Sequence, residues 1–551
     1  LRLLDVSDAT RPTVIGTSTF GDGWAWTPAS GTFKAFTRDD SKKLVVLPFS
    51  GWSSANYEYM NGLQLIEYDT GAITTKGAAK SKGWVERGVF VKNRLVSLSD
   101  QALSVIDYAD RNNPKVVKEL TLARNVVAAE PNGATIAQLS TDWWGYDNKT
   151  SELRVLPIAN AEENVTDPNA RSVSIDGTNA RVFRNGDLAY VVTTLYPTTP
   201  NGPSYATPHV QVVDLSNGGA TLKGSLDLPQ ETNGSYWSWW GGCYYWDWYD
   251  GSSAVQVGGD ALAFRRTRGS YDPNTGEYKY DQKLYVVDLS NPNAPKLTST
   301  AITPDSDAWW GNMRVVGDTL YTTHYEWKSK PIANPDPNGA THKYWVRYYL
   351  DRVDLSDRAN PKVGQRINVP GMLVGASETD PSLLYFVDYR WYDGYDNAPK
   401  DEIAVAKIKN GKAYLQSSTL IDGWVGNVFV RGNKAYMSAQ EYTQPNQANP
   451  YGTSSVKLHE VDLTDPRKPV ARASAPKDGW GWLVDVEGDR AIITSGWGQV
   501  GLDIYKLTPN QAPVYSQFAR TRGWWTNAIS RQDGDLFLST GYWGVQKITL
   551  K

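Results

Sequence analysis

Carboxylate side chains are concentrated in two aromatic-rich segments of the chain, residues 271–281 and 389–401. Asp393 and Asp396 lie three residues apart in the second segment, and their oxygens would suit a calcium ion or acid–base chemistry on a polysaccharide. Their spacing does not match the regular calcium-binding loop. Aspartate is also a common turn-forming residue. The segment therefore favours a turn, with a calcium site or the acid–base pair of a polysaccharide hydrolase or lyase as alternatives.

The sequence contains no compact signature of catalysis. Its four histidines are scattered and form neither a His-x-His nor a His-Glu-x-x-His grouping. A single cysteine, Cys243, excludes an internal disulfide and a Cys-x-x-Cys-His haem motif. No Gly-x-Ser-x-Gly elbow or phosphate-binding loop occurs. These absences disfavour an enzyme without deciding the question, because some folds assemble an active site from distant segments.

Tryptophan recurs at one position of a repeated pattern, usually after glycine and before an apolar run. Its occurrences at this position are Trp24, Trp84, Trp309, Trp424, Trp480 and Trp524. Two further tryptophans, Trp143 and Trp391, lie in aromatic insertions. The recurrence favours packing between repeats. The alternative is a platform for a ligand, since an indole offers a flat apolar face with a polar edge.

The tryptophans belong to a longer internal repeat. In the most regular copies, alternating apolar residues are followed by Asp-x-Ser or a similar turn and then by a proline, a pattern that predicts a strand, a turn and a second strand. The clearest copies begin at Leu1, Leu103, Leu284, Leu350 and Leu458, and Val210 starts another. Weaker copies begin at Leu63, Leu153, Ile403, Leu502 and Val545.

Between these copies lies a second pair of apolar runs, joined by Gly-Asn or Gly-Asp, as at Gly317, Gly432 and Gly488. Such dipeptides indicate tight hairpins. Each period is thus expected to contain four antiparallel strands, which is the content of one propeller blade. The sequence predicts an all-β fold, a β-propeller of about ten repeats, with two smaller propellers as the alternative.

The Leu-x-Val-Val-Asp-Leu-Ser motif, continued by Asn-Pro and Pro-Lys, resembles the LVIVD-type repeat of secreted and surface β-propeller proteins of bacteria and archaea. The likeness extends over nearly the whole chain, although the copies at Leu153 and Ile403 lack the Asp-x-Ser turn. The resemblance implies a propeller. It implies no catalytic residue, because that family shares no catalytic motif.

The chain ends bear on how the ring of blades would close. Residues 1–19 supply the last two strands of a period, and residues 523–550 supply the first three. We therefore expect a single domain over residues 1–551, in which a strand near 13–19 completes the last blade. The strand at 1–6 is then surplus.

Composition limits the partners. The net charge is −3 with a pI near 6.0, so no overall positive charge would attract nucleic acid. No apolar run is long enough to span a membrane.

One cysteine and four methionines leave few easily oxidised side chains, which suits an extracytoplasmic location. The chain begins at Leu1, so a processed or trimmed N-terminus is expected.

Together these observations predict a non-catalytic extracytoplasmic protein that binds a protein partner or a polysaccharide through an aromatic-rich face. No cofactor is expected, apart from calcium if the aspartates bind it. The alternatives are a propeller hydrolase or lyase and a subunit of a larger assembly, such as a surface layer or filament.

Overall fold

A computed structural model gives the fold of the 551-residue chain. The structure describes all residues except 20–24, 54–57, 142–149, 164–166, 196–206, 230–253, 273–276, 303–308, 334–340, 390–399, 444–451, 496–500, 523–527 and 551. Within the described part, regular structure is almost entirely antiparallel β-sheet, with four single-turn 3-10 helices at Pro28–Ser30, Phe33–Ala35, Ile158–Asn160 and Ser216–Gly218. None of these helices could span a membrane.

In the described part of the chain the strands form eleven sheets, numbered here in chain order. Sheets 1 to 3 contain β1 Arg2–Asp5 and β2 Thr13–Thr17; β3 Ala25–Trp26, β4 Thr37–Asp39, β5 Leu44–Ser53, β6 Glu58–Asp69 and β7 Ala72–Lys80; and β8 Val85–Val91, β9 Arg94–Ser99, β10 Ala102–Asp107 and β11 Lys115–Thr121. Sheets 4 to 6 contain β12 Val126–Asn132, β13 Thr135–Ser140, β14 Thr150–Pro157 and β15 Arg171–Asp176; β16 Thr178–Asn185, β17 Leu188–Leu195, β18 Thr207–Asp214 and β19 Thr221–Asp227; and β20 Ala254–Val257, β21 Ala261–Asp272, β22 Glu277–Asp288 and β23 Lys296–Ile302.

The remaining sheets continue the same order. Sheets 7 and 8 contain β24 Trp309–Val316, β25 Thr319–Pro331, β26 His342–Asp354, β27 Lys362–Val363 and β28 Ile367–Val369; and β29 Met372–Ala376, β30 Leu383–Asp388, β31 Lys400–Lys409 and β32 Lys412–Asp422. Sheets 9 to 11 contain β33 Trp424–Arg431, β34 Lys434–Thr443, β35 Thr453–Asp462, β36 Val470–Ala473 and β37 Lys477–Asp478; β38 Gly481–Glu487, β39 Arg490–Ser495, β40 Gly501–Lys506 and β41 Val514–Arg520; and β42 Ala528–Gln532, β43 Asp535–Ser539 and β44 Val545–Thr549.

The repeated Asp-x-Ser phrase forms the turn that the sequence predicts. The carboxylates of Asp288, Asp354 and Asp462 each accept a hydrogen bond from the backbone N–H two residues later, at 2.9 to 3.0 Å. This bond ends the third strand of its sheet and starts the turn toward the fourth. The third strand is buried, while the fourth strand is largely exposed, as in β11 and β41. The fourth strand therefore lies on the outside.

Sheets 4 to 11 form a closed series in which each sheet packs face to face on the next. Seven buried apolar clusters join successive sheets; that between sheets 8 and 9, for example, includes Tyr385, Val405, Met437 and Val461. An eighth cluster, with Val126, Ile136 and Leu156 of sheet 4 around Phe537 of sheet 11, joins the last sheet to the first. Four-stranded sheets packed in this way form a β-propeller, which confirms the predicted fold class.

The closing joint between sheets 11 and 4 uses side chains and isolated backbone bonds. Val126 and Gly541 form a single antiparallel bridge. The side-chain amide of Gln532 accepts from the backbone N–H of Gly133 and donates to its carbonyl, both at 2.8 Å. Among the described residues, sheet 11 has three strands, β42, β43 and β44, and none comes from the N-terminal segment. The joint therefore closes without a sheet that contains strands from both ends of the chain.

Sheets 1 to 3 form a shorter, open series. Leu63 and Leu65 of sheet 2 share a buried cluster with Leu95 and Ile106 of sheet 3. In the described part of the chain, no buried cluster joins sheet 3 to sheet 4. The Gln101 amide does donate to the Tyr542 hydroxyl of the loop in sheet 11 at 2.9 Å. The division into eight closed and three open sheets was not predicted from the repeat count.

The sequence suggested that an N-terminal strand completes the last sheet. The structure does not show this pairing. Instead β2 pairs with β1, in register from Arg2 opposite Thr17 to Asp5 opposite Thr13. The hydroxyls of Ser18 and Thr75 lie 2.5 Å apart, and a Cβ on Gly16 would stand 2.8 Å from Ile73 Cγ2. These close contacts hold β2 against β7 of sheet 2. That residues 1–551 fold as a single domain stays a prediction.

Candidate binding face

The tryptophans before the first strands are positioned by a glycine with an unusual backbone. Gly83, Gly423 and Gly479, which precede Trp84, Trp424 and Trp480, have φ values of +70°, +99° and +103°. Other residues rarely adopt such angles, which explains why glycine recurs in this motif. At Gly423 a Cβ would also stand 2.6 Å from the Gln440 carbonyl oxygen.

Carboxylates fix the same turn from the neighbouring strands. Asp100 accepts a hydrogen bond from the backbone N–H of Trp84 at 2.7 Å. The buried Asp401 accepts from the N–H of Val425, the residue after Trp424, also at 2.7 Å. At Trp84 and Trp424 the backbone that carries the indole is thus fixed by a carboxylate before any ligand arrives.

In the closed series, these tryptophans lie on one side, here called the upper face. It is defined as the side on which the first strand of each sheet begins. Because the strands are antiparallel, the second strand ends and the third begins on this side too. The Trp424 side chain is 39% exposed there, and Trp480 is partly exposed on the adjacent sheet. The structure brings these two predicted residues onto neighbouring sheets.

Three exposed aromatic residues on the upper face were missed in the sequence. Trp327 lies on β25, beyond the Trp309–Tyr325 pair with which β24 begins. Tyr442 ends β34, and Trp543 lies in the loop between β43 and β44. All three lie toward the end of a second strand or in the loop after it. The motif before the first strand could not have identified them.

Trp84 belongs to sheet 3 and therefore lies outside the closed series. Its indole makes an edge-to-face contact with Trp26, with ring centroids 6.1 Å apart and planes at 69°. Both indoles are substantially exposed, and Phe33 and Phe36 are exposed in the same insertion of sheet 2. Trp84 therefore lies outside the closed series that carries Trp424 and Trp480.

Several predicted site residues fall outside the described part of the chain. These are Trp24, Trp143, Trp391 and Trp524, together with the calcium candidates Asp393 and Asp396. Trp309 begins β24, but its side chain is not among those described. Among the residues that are described, no three His, Cys, Asp or Glu side chains form a group suited to a metal ion.

Below Trp424, the joint between sheets 8 and 9 contains a buried histidine. His459 is 6% exposed, and burial lowers its pKa to about 4, with a smaller contribution from the neighbouring Lys457. Asp422 and Glu441 oppose this shift, and both are already paired, with Lys400 at 3.0 Å and Lys457 at 2.6 Å. At neutral pH the histidine is therefore uncharged.

The first strands of sheets 7, 8 and 9 line a cavity of about 540 Å³ on the inner side of the series. Its polar lining includes Arg314, Glu378, Asn427 and Arg431. These groups are engaged with backbone: Glu378 accepts from the Gly432 N–H at 2.9 Å, and the Arg431 guanidinium donates to the Val486 carbonyl at 3.0 Å. The cavity is polar, and the charged side chains of Glu378 and Arg431 are used in joining sheets 8, 9 and 10.

Two acidic groups on first strands have altered acidity. Burial raises the pKa of Glu130, although the nearby Arg184 opposes it. Burial also raises the pKa of Asp485, against the effect of its ion pair with Arg531. The two pairs lie on sheets 4, 5, 10 and 11, which meet around the closing joint.

Comparison with known proteins finds a propeller family over part of the chain. Residues 1–111 match the family described as "Beta propeller domain". No curated protein sequence matches the chain. Similar solved structures include an acylaminoacyl peptidase from Pyrococcus horikoshii, with 11% identity, a TM-score of 0.34, and coverage of 72% of this chain and 52% of that one.

Two further structures give similar values. One is an acylaminoacyl peptidase in complex with Z-Gly-Gly-Phe-chloromethyl ketone, with 11% identity, a TM-score of 0.35, and coverage of 72% and 53%. The other is the β-propeller domain of the trilobed protease from Pyrococcus furiosus, described as having an open velcro topology, with 12% identity, a TM-score of 0.34, and coverage of 72% and 100%. The chain spans about half the length of the two peptidases. No residue role is transferred from these proteins.

Proposed function

We propose that this chain is a non-catalytic binding or scaffold protein that acts outside the cytoplasm and recognises a protein partner or a glycan through its upper face. The observation that carries the proposal is the pair Trp424 and Trp480. Each indole follows a glycine with positive φ, Gly423 or Gly479. The two indoles belong to adjacent sheets, and both are accessible to solvent.

Exposed indoles on a fixed backbone suit recognition for a physical reason. An indole offers a large apolar face at little cost in conformational entropy, and its N–H can donate a hydrogen bond at the edge. Sugar rings and apolar protein side chains both stack on such a face. The extracytoplasmic location is supported by the scarcity of cysteine and methionine.

The test is binding by purified protein on a glycan array and in pull-down assays against surface material. We expect Trp424→Ala and Trp480→Ala each to weaken binding about tenfold or more, because truncating a central aromatic contact commonly costs that much. Trp309→Ala tests the same position on sheet 7. Tyr414→Ala is the matched control, since Tyr414 is exposed on the outer strand β32 and should leave binding unchanged.

Two results would overturn the proposal. One is binding that survives the combined Trp309, Trp424 and Trp480 substitutions. The other is turnover of a polysaccharide that disappears in Asp393→Asn or Asp396→Asn, which would establish the hydrolase or lyase alternative. Binding should need no cofactor, so removing calcium with EDTA should leave the affinity unchanged.

A further inference from the structure

The second and third strands of sheet 7, β25 and β26, are the longest strands in the described part of the chain, with 13 residues each. On β25, pairing with the first strand β24 ends at Tyr325, and on β26, pairing with the outer strand β28 ends at Tyr348. Residues 326–331 and 342–347 therefore pair only with each other. They form a two-stranded extension, here called the sheet 7 arm, that continues about 20 Å past the rest of the sheet on the side of the upper face.

One face of the sheet 7 arm combines positive charge with an indole. Side chains of directly paired residues point to the same face of a sheet, and the face alternates along each strand. The residues of this face form three cross-strand pairs, Lys330–Lys343, Lys328–Trp345 and Glu326–Arg347. Four of these six side chains are cations, and one is a carboxylate.

The carboxylate of this face is already neutralised at the base of the arm. Glu326 is 6% exposed, and its oxygens lie 2.8 Å from Lys328 Nζ and 3.4 Å from the Arg366 guanidinium. The hydrogen-bonded ion pair with Glu326 raises the pKa of Lys328, while the nearby Arg347 acts in the opposite direction. Glu326 therefore leaves the other cations of the face uncompensated.

Three cations of the arm have no acidic partner. Lys330, Lys343 and Arg347 are exposed, and within the described part of the chain no carboxylate forms an ion pair with them. Trp345 is partly exposed and lies two residues from both Lys343 and Arg347, which is about 6.5 Å along the strand in each direction. The face thus presents an indole flanked by unpaired positive charges.

We propose that this face of the sheet 7 arm binds an acidic polysaccharide whose sugar rings carry carboxylates. A sugar ring stacks its C–H face on an indole, and a carboxylate on the same ring then reaches a lysine or arginine beside that indole. An acidic peptide supplies carboxylates without a flat ring, so it would leave Trp345 unused. The inference rests on the proposed function and deepens it, because it names the class of glycan and adds the arm to the upper face.

The projection of the arm lets its local charge act although the whole chain has a net charge of −3. Lys330 lies about 15 Å past Tyr325, where pairing with β24 ends. Charges are screened over about 8 Å at physiological ionic strength, so the outer part of the arm feels little of the charge on the rest of sheet 7. An anionic polymer therefore meets a positive surface there.

The experiment measures binding of galacturonate oligomers to the full chain by isothermal titration calorimetry. Fully methyl-esterified oligomers serve as the neutral ligand with the same backbone. We expect the acid form to bind at least about tenfold more tightly than the ester, and its affinity to fall as salt is added. The combined Lys330→Glu and Lys343→Glu substitutions, and Trp345→Ala alone, should each weaken binding about tenfold or more.

The matched control is the combined Lys409→Glu and Lys412→Glu variant. These two lysines are also an exposed cross-strand pair, at the turn between β31 and β32, and their substitution changes the net charge by the same amount. The control should bind the oligomers like the unmodified chain, and circular dichroism should show unchanged folding in every variant. Equal weakening in the control would overturn the proposal, because the effect would then not belong to the arm.

The other outcomes separate this inference from the proposed function. Absent binding of the acid form, equal binding of the ester, or tighter binding of poly-glutamate would each overturn it, the last by assigning the face to an acidic protein. If the chain binds a neutral glycan or a protein through Trp424 but no galacturonate oligomer, the inference fails and the proposed function stands. If it binds no ligand of any class, both fail.

Discussion

Replacing Phe537 by alanine is expected to lower the free energy of unfolding by about 3–5 kcal/mol, the usual cost of removing a fully buried phenylalanine. The Phe537 side chain is 1% exposed and packs against Val126, Ala129 and Ile136 across the joint between sheets 11 and 4. Chemical denaturation monitored by tryptophan fluorescence would measure the change.

The position of Phe537 adds a second expectation. Sheets 11 and 4 are joined by side-chain packing and a few isolated bonds, so a cavity there should loosen the closed series locally. Hydrogen exchange should therefore increase in β12 and β42–β44 before the rest of the protein unfolds. Phe386→Ala is the matched control, because Phe386 is equally buried but lies between consecutive sheets. Equal, spatially uniform exchange in both variants, or a loss below about 1 kcal/mol at Phe537, would contradict closure at this joint.

Local features of the fold could be read from the sequence because short-range chemistry determines them. Asp288 and Asp354 bond to backbone groups two residues away, and the turn follows from that one contact. Gly423 and Gly479 were found as part of a motif, and their positive φ values supply its cause. In each case the residue and the structure it dictates lie within a few positions of each other.

Closure could not be predicted in the same way. Phe537 packs on Val126 across more than four hundred residues, and nothing in either local pattern identifies the other as its partner. The repeat also gave the same prediction for β1 as for β10, although Leu4 is exposed and Ile106 is buried. Which faces are covered depends on the number of sheets that close, and a periodic sequence does not encode that number locally.

The candidate face shows the same limit. The sequence identified Trp424 and Trp480 because a motif precedes them, but it missed Trp327 and Trp543, which no motif marks. Trp84 shares the motif and still lies outside the closed series, in contact with Trp26. A motif therefore specifies how a side chain leaves its own sheet, while the packing of sheets decides which side chains share a surface.

Acidification is expected to reduce stability through His459, by up to about 3 kcal/mol between pH 6.5 and pH 4. Burial lowers the pKa of this histidine from 6.5 to about 4 in the folded protein. Below pH 6.5 the unfolded chain therefore binds a proton that the folded chain refuses, and unfolding becomes more favourable. Above pH 6.5 both states are neutral, and the contribution to stability is fully present.

The groups facing His459 leave this direction unchanged. Lys457 also disfavours the charged imidazole, while Asp422 and Glu441 favour it but are paired with Lys400 and Lys457. His459→Gln should flatten the dependence of the unfolding free energy on pH between 6.5 and 4, because glutamine does not titrate.

His342→Gln is the matched control, since His342 begins β26 and is less buried than His459. Denaturation curves at closely spaced pH values would measure both variants against the unmodified chain. A slope in the His459 variant equal to that of the unmodified chain would show that the acid sensitivity arises elsewhere. A slope lost only in that variant would identify His459, in the joint between sheets 8 and 9, as the acid-sensitive group.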